Sequence, residues 1–238
     1  MSSVPVTTAF AGFAPKGLAF LEGLGRDNTK AYFDAHRADY ESGLLAPAKA
    51  FVVALGEELR TRVSPAIRAE PRVNGSILRI NRDTRFSADK RPYKEHVDLW
   101  FWEGEGPSRE RPGFFLRLRP TTVTVGAGMH RFERPALEAY RRAVGDERTG
   151  RDLEAALAQA TDLPGVTIGG GDAYKRVPQA FAADHPRADL LRHGALYVAG
   201  DWELPAEAAG PDFVPWAAER LERMAPVERW LTNVLADA

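Results

Sequence analysis

Basic, acidic and aromatic side chains are concentrated in one stretch of this 238-residue chain, LRINRDTRFSADKRPYKEHVDLWFW, from Leu78 to Trp102. Between Arg72 and His96 there are seven Arg and Lys residues against three Asp and Glu, a local net charge of +4. The planar guanidinium of arginine binds a phosphate or a carboxylate through two parallel hydrogen bonds. The stretch therefore predicts a site for an anion, with aromatic rings on which a ligand could stack.

Two β-strands separated by a long loop would position these side chains. The first and last segments, about 76 to 82 and 96 to 103, alternate apolar and polar residues, and a period of two places each set on its own face of a sheet. The thirteen residues from 83 to 95 are long for a hairpin connection, and such loops are usually functional or disordered. Phe86 and Tyr93 give the loop apolar material to pack, which favours an ordered loop.

Two further strands, about 113 to 119 and 121 to 127, favour an antiparallel meander with helices covering one face. The polar side chains of such a sheet would share one face, and the cations of the loop would rim it. The predicted ligand-binding residues are Arg79, Asn81, Arg82, Arg85, Lys90, Tyr93, Lys94, Trp100, Arg117 and Arg119. Asp83, His96 and Asp98 are candidates for acid–base catalysis.

Three interpretations of this cluster stay open. We predict a pocket for an anionic small molecule carrying a phosphate or carboxylate, with its use in catalysis undecided. The first alternative, a non-enzymatic structural or interaction module, is strong, because the arginines and aspartates of the loop can pair with each other and hold it against the sheet. The second alternative is single-stranded nucleic-acid binding, which needs an open basic groove with exposed aromatics. The overall net charge of −1 makes it the least favoured.

Other familiar chemistry finds little support in the sequence. The chain has no cysteine, which excludes disulfides and thiolate nucleophiles, and it carries none of the common hydrolase, zinc-protease or Walker motifs. His96, Asp98 and His130 could together hold a metal, but no spacing rule selects them, so we predict neither a metal nor a cofactor. Gly169-Gly170-Gly171 lacks the residues of a phosphate loop and is predicted to be a flexible connection.

A bacterial and fungal family, domain of unknown function 2461, has a signature that closely resembles Arg82-Asp83-x-Arg85-Phe86-Ser87-x-Asp89-Lys90-x-Pro92-Tyr93-Lys94. Three other segments are similar to motifs of the family: Asp27-Asn28-Thr29-Lys30-Ala31-Tyr32-Phe33, Gly126-x-Gly128-Met129 and Arg176-Val177-Pro178-Gln179-Ala180-Phe181. Asp27, Tyr32 and Ala180 depart from the family's pattern. The resemblance covers residues 10 to 205, approximately, and it implies no activity.

Helices are predicted on both sides of the sheet segment. The clearest has a buried stripe formed by Leu44, Ala48, Phe51, Leu55, Leu59 and Val63. Other helices are predicted to begin at Pro15, after a cap at Asn28, at Pro135, after a cap at Thr149, and near Asp184. A further strand is predicted at 195 to 198, and two C-terminal helices within 213 to 236 are predicted to be separated by Pro226.

These elements predict one α+β domain over residues 1–238, because no segment has the composition of a linker. No apolar run approaches the roughly 18 residues of a membrane span, and the N-terminal residues lack the pattern of a signal peptide. We therefore predict a cytoplasmic protein without a membrane partner. The sequence does not specify the oligomeric state.

Overall fold

The computed structural model describes residues 9–85, 87–104, 110–171 and 173–236. The described chain divides into two compact units. Unit 1 holds the described residues of Met1–Trp100, Leu116–Val123 and Trp202–Ala218, and unit 2 holds those of Phe101–Phe115, Thr124–Asp201 and Glu219–Ala238. The single-domain assignment stays a prediction.

Five strands among the described residues form one antiparallel sheet. They are β1 (Val97–Trp102), β2 (Gly113–Leu118), β3 (Thr122–Met129), β4 (Val166–Gly169) and β5 (Leu196–Glu203). The strand order is β1-β2-β3-β5-β4, so the first three strands form three of the four strands of the predicted meander. The predicted α+β class is confirmed. The sequence did not predict β4, whose last residue, Gly169, lies opposite Tyr197 of β5.

The predicted strand at 76 to 82 is wrong. This segment forms isolated bridges instead, from Ile77 to Leu99 and from Asn81 to Tyr93. Asn81 lies four residues after Ile77 on one segment, whereas Tyr93 lies six residues before Leu99 on the other. The two segments therefore do not keep the regular register of a hydrogen-bond ladder. The segment therefore contacts β1 without becoming a sixth strand.

The helices of the described residues lie before, between and after the strands along the chain. They are α1 (Pro15–Arg26), α2 (Lys30–Ala35), α3 (Arg37–Asp39), a π-helical turn (Tyr40–Leu45), α4 (Ala46–Arg62), α5 (Arg134–Gly145), α6 (Glu147–Thr161), α7 (Ala188–Leu191), a 3₁₀ turn (Ala206–Ala209) and α8 (Phe213–Val234). The predicted stripe of the long helix is confirmed from Leu44 to Leu59, where its members are fully buried, whereas Val63 lies after the end of α4 and is half-buried. The helix begins, however, with the π-helical turn.

Two predicted helix caps are wrong by one to three residues. Thr29, not Asn28, caps α2, because the Thr29 hydroxyl accepts a hydrogen bond from the backbone N–H of Tyr32. Asp146, not Thr149, caps α6, because the Asp146 carboxylate accepts hydrogen bonds from two backbone N–H groups of the first turn. Ser, Thr, Asn and Asp all act well as helix caps, so the local sequence does not determine which of several such neighbours is the cap.

The predicted break at Pro226 is also wrong, because α8 continues through it. A proline inside a helix removes one backbone hydrogen bond and costs about 3 kcal/mol. The helix buries Leu221, Val227 and Leu231 completely. Burying side chains of this size contributes about 1.5–3 kcal/mol each, which is enough to offset the proline.

Burial in β1 differs from the predicted alternation. All six of its residues are buried, including Asp98, Trp100 and Trp102 on the face predicted to be polar and open. No helix in the described residues is long and apolar enough to cross a membrane.

Candidate functional site

Asp98 is the centre of the charged cluster in unit 1. Strand β1 carries Asp98, β2 carries Arg117, and the chain leading into β1 carries Lys94 and His96. The Asp98 carboxylate lies 2.8 Å from Lys94 Nζ, 2.6 Å from Arg117 Nε and 3.3 Å from His96 Nε2. Three basic side chains therefore converge on one carboxylate.

The ionised form of Asp98 is strongly favoured. Burial opposes its ionisation, but His96, Arg117 and Lys94 more than offset that effect and hold the pKa of the carboxyl well below its usual range. The cluster thus has one carboxylate for two cationic side chains, Lys94 and Arg117, in addition to His96.

Exposure differs among the three bases. The side chain of Arg117 is 41% exposed, whereas those of Lys94 and His96 are about half as exposed, at 20% and 22%. Arg117 bonds Asp98 through Nε alone, and its terminal nitrogens form no hydrogen bond with the residues that the structure describes. A solvent-accessible guanidinium fork is thus held in place by its Nε–H.

The arginines of the preceding loop are paired within the loop. Arg82 Nη1 lies 2.5 Å from Asp89 Oδ2, and Arg85 forms a two-point pair with Asp83 at 3.0 and 2.7 Å. Lys90 donates a hydrogen bond of 2.9 Å to the backbone carbonyl of Thr84. These side chains were predicted to rim a ligand pocket, and in the structure each of them bonds an acceptor of the loop.

The pairing lowers the pKa of both loop carboxyls. Hydrogen bonds from the side chain and backbone of Arg85 lower the pKa of Asp83 to about 2. The pKa of Asp89 is lowered further, chiefly by hydrogen bonds from Arg91 and then by Arg82. Asp83 was predicted as a candidate for acid–base catalysis, and the lowered pKa makes its carboxylate a weaker base.

Tyr93 was predicted to offer a ring for stacking, but its side chain is buried. The ring stacks on Phe33 of α2 with centroids 4.6 Å apart and an interplanar angle of 9°. The Asn28 amide donates to the Tyr93 carbonyl at 3.1 Å, and the Tyr93 N–H donates to the Asn28 carbonyl oxygen at 2.9 Å. Asn28 therefore holds the backbone at Tyr93, the residue before Lys94. From the sequence, Asn28 was predicted to cap a helix.

The other predicted ligand residues lie in different environments. Arg79 and Asn81 are exposed, and Arg79 forms no ion pair with any described residue. Trp100 is buried and Arg119 is half-buried. The bridge at Asn81 and the hydrogen bond from the Leu78 N–H to the Asp98 carbonyl bring this segment alongside the cluster.

The glycines of the Gly126-x-Gly128 segment in unit 2 allow close approach of a ring and of a neighbouring strand. A Cβ at Gly126 would lie 2.3 Å from the Phe115 ring, and one at Gly128 would lie 2.3 Å from the backbone carbonyl oxygen of Leu196 in β5. The exposed His130 ring contacts the Phe115 and Tyr197 rings, with centroid distances of 4.7 and 4.8 Å. Packing therefore explains this segment without a ligand.

The predicted flexible glycine run at 169–171 also accommodates side chains. The Tyr197 ring lies over Gly169 and the His193 ring over Gly170, each so close that a Cβ would clash. Gly171 has a φ of +63°, a conformation that favours glycine. Across the described ranges no group of three or more His, Asp or Glu side chains could hold a metal ion.

Comparison with known proteins identifies one family. The family model described as "Conserved hypothetical protein (DUF2461)" matches residues 16–230, which is most of the chain. No curated protein and no solved structure matches the sequence.

Proposed function

Because the chain belongs to the DUF2461 family, whose description gives no activity, we propose from the site itself that it binds an anionic small molecule at the Asp98 cluster. The cluster consists of Lys94, His96, Asp98 and Arg117. The ligand would carry a phosphate or a carboxylate, the two groups whose geometry a guanidinium fork matches.

The observation that carries this proposal is the incomplete use of Arg117. Asp98 engages only Nε of its guanidinium, and the rest of the fork has no partner among the described residues. Asp98 thereby orients the guanidinium of Arg117 and leaves its terminal N–H donors available to a ligand. A donor set that is fixed in advance binds an anion with little loss of side-chain entropy.

His96 favours a catalytic use of the same cluster. Its Nε2 faces the Asp98 carboxylate at 3.3 Å, the arrangement in which a carboxylate orients an imidazole for proton transfer. A ligand held by Arg117 and Lys94 would lie within reach of this histidine. The reaction that such a pair would serve stays undefined.

The paired arginines of the loop favour the structural alternative for that segment alone. Arg82 and Arg85 are each joined to a loop carboxylate, so we propose that they hold the loop and do not bind the ligand. The nucleic-acid alternative stays a prediction. It needs a groove with exposed aromatic side chains, whereas Tyr93, Trp100 and Trp102 are buried.

Titration with phosphate and with acetate, read by isothermal calorimetry, tests the proposal. We expect binding of at least one anion by the parent protein and a loss of that binding in Arg117→Gln. Lys49→Gln is the matched control, because it removes an exposed cation on α4 outside the cluster. It should leave the affinity unchanged.

Thermal unfolding adds a second measurement. A ligand that binds only the folded state raises the melting temperature with its concentration, whereas phosphate also stabilises proteins in general by exclusion from their surface. The specific part of the increase should disappear in Arg117→Gln and persist in Lys49→Gln. An equal increase in all three proteins, without calorimetric heat, would refute anion binding at the cluster.

A further inference from the structure

A cavity of about 490 Å³ lies in unit 2, on the segment Lys175–Phe181 and on α7. Residues 176–181 of this segment resemble a motif of the family in the sequence, and the function proposed above does not use them. The volume lies within the range of small-molecule sites, which is about 300–1,000 Å³. All of its lining residues belong to unit 2, and none of them is a member of the Asp98 cluster.

Positive charge dominates the polar part of the cavity wall. Lys175 and Arg176 are exposed and form no ion pair with any described residue, whereas Arg192 is paired with Asp189. The wall therefore carries two cations, on consecutive residues, that no carboxylate of the described residues neutralises. Consecutive cations that face a concave surface provide an electrostatic site for one anionic group.

Apolar side chains form the remainder of the wall. Val177, Phe181, Ala183 and Ala188 line the same cavity. The Phe181 ring is half-buried and packs on Gly145, where a Cβ would lie 2.2 Å from the ring. A ligand that matches this wall has an apolar body as well as an anionic group.

Both walls are anchored on the junction between α5 and α6. Arg187 precedes α7 and is 6% exposed, and its Nε donates to the Val144 carbonyl at 2.7 Å. Its Nη2 lies 3.3 Å from the Asp146 carbonyl, and a Cβ at Gly150 would clash with the guanidinium. Since Phe181 packs on the last residue of α5, the same junction fixes both sides of the cavity.

We propose that this cavity binds a small molecule that combines a phosphate or carboxylate with an aromatic or other apolar group. Lys175 and Arg176 bind the anionic group, and Val177 and Phe181 contact the apolar group. The anchored walls keep the cavity formed before the ligand arrives, which reduces the entropy lost on binding.

Phenyl phosphate and benzoate are suitable probes, because each joins a ring to one of the two anionic groups. Inorganic phosphate tests the charge alone, and benzyl alcohol tests the ring alone. We expect either phenyl phosphate or benzoate to bind about tenfold more tightly than inorganic phosphate or benzyl alcohol, as expected when apolar contact adds to charge. The probe that binds more tightly identifies the anionic group.

Lys175→Gln/Arg176→Gln should weaken the tighter probe about tenfold or more, since it removes both of these cations. Arg142→Gln is the matched control, because Arg142 is an exposed cation of α5 that does not line the cavity. Val177→Ser should reduce the affinity of the tighter probe towards that of inorganic phosphate. The binding isotherms are measured on the full chain by calorimetry.

Backbone amide shifts distinguish this cavity from the Asp98 cluster. Binding should shift amides within 175–192, and the shifts should persist in Arg117→Gln. The proposal is overturned if neither ring-bearing probe binds, if Lys175→Gln/Arg176→Gln binds as tightly as Arg142→Gln, or if the shifted amides lie outside 175–192.

Discussion

Glu228 should make the folded protein less stable as the pH rises from 5 to 8. This residue lies on α8 with 1% of its surface exposed, and its carboxyl accepts a hydrogen bond of 2.8 Å from the Thr232 hydroxyl. Burial raises its pKa to about 7, since it outweighs the opposing hydrogen bond from Thr232, and Glu103 adds to the increase. The folded protein therefore binds a proton at Glu228 at pH values where the unfolded chain has released it.

The size and sign of the effect follow from proton linkage. A glutamic acid in an unfolded chain has a pKa of about 4.3, and each pKa unit corresponds to about 1.4 kcal/mol. Below the unfolded pKa both states are protonated and the stabilisation is complete. Stability is then lost as the pH rises through the folded pKa, by roughly 3 kcal/mol between pH 4 and pH 8.

Glu228→Gln should remove this loss, because the amide resembles the protonated carboxyl in shape and carries no charge. The variant should match the parent near pH 5 and exceed its free energy of unfolding by roughly 2–3 kcal/mol at pH 8. Urea denaturation at four pH values between 5 and 8 measures the difference. Asp98 has a lowered pKa and acts at lower pH, and every group other than Glu228 is common to the two proteins, so the difference between them isolates Glu228.

Glu219→Gln is the control, because Glu219 is an exposed carboxylate on the same helix. It should shift the free energy of unfolding by only a few tenths of a kcal/mol, approximately, at every pH. A difference between Glu228→Gln and the parent that does not change with pH would contradict the reasoning. A variant less stable than the parent at pH 8 would also contradict it.

Three further predictions concern side chains that hold the fold and the site. Asp98→Asn should destabilise the protein by about 3–5 kcal/mol, because it leaves partly buried cations without their counter-charge; an unchanged urea midpoint would contradict this. Asn28→Ala should cost about 1–3 kcal/mol, because it leaves the backbone groups of Tyr93 without partners, and unaltered amide exchange at Tyr93 would count against it. Phe51→Ala and Leu55→Ala should each cost about 2–5 kcal/mol, since both side chains are fully buried; midpoints equal to that of the parent would remove α4 from the core.

Regular periodicity made the main elements predictable from sequence. The helical stripe from Leu44 to Leu59 and the alternation in 97 to 102 are local patterns, and each marks an element of the structure. The strand predicted at 76 to 82 has the same alternation but lacks a regular partner. Register depends on how many residues two segments place between their contacts, and a single segment does not contain that information.

The sequence showed which side chains of the loop carry charge, but not which of them pair with each other. Arg82 and Arg85 were expected to bind either an external anion or the neighbouring aspartates. In the structure Arg82 reaches Asp89, seven residues along the chain, and Arg85 reaches Asp83. Such pairings depend on the path of the loop, which carries no periodic pattern and so leaves no signal in the sequence.

The burial of Asp98 could not be predicted from sequence either, because it depends on the cations that contact the carboxylate. An aspartate that alternates with apolar residues is usually assigned to the solvent face, because an unpaired buried carboxylate is costly. Lys94 and Arg117 remove that cost, and they come from a loop and from the adjacent strand. Only the assembled sheet brings these cations to the carboxylate, so its burial could not be inferred from β1 alone. The same assembly leaves the fork of Arg117 accessible, which is why we propose an anion site at this carboxylate and not among the loop arginines.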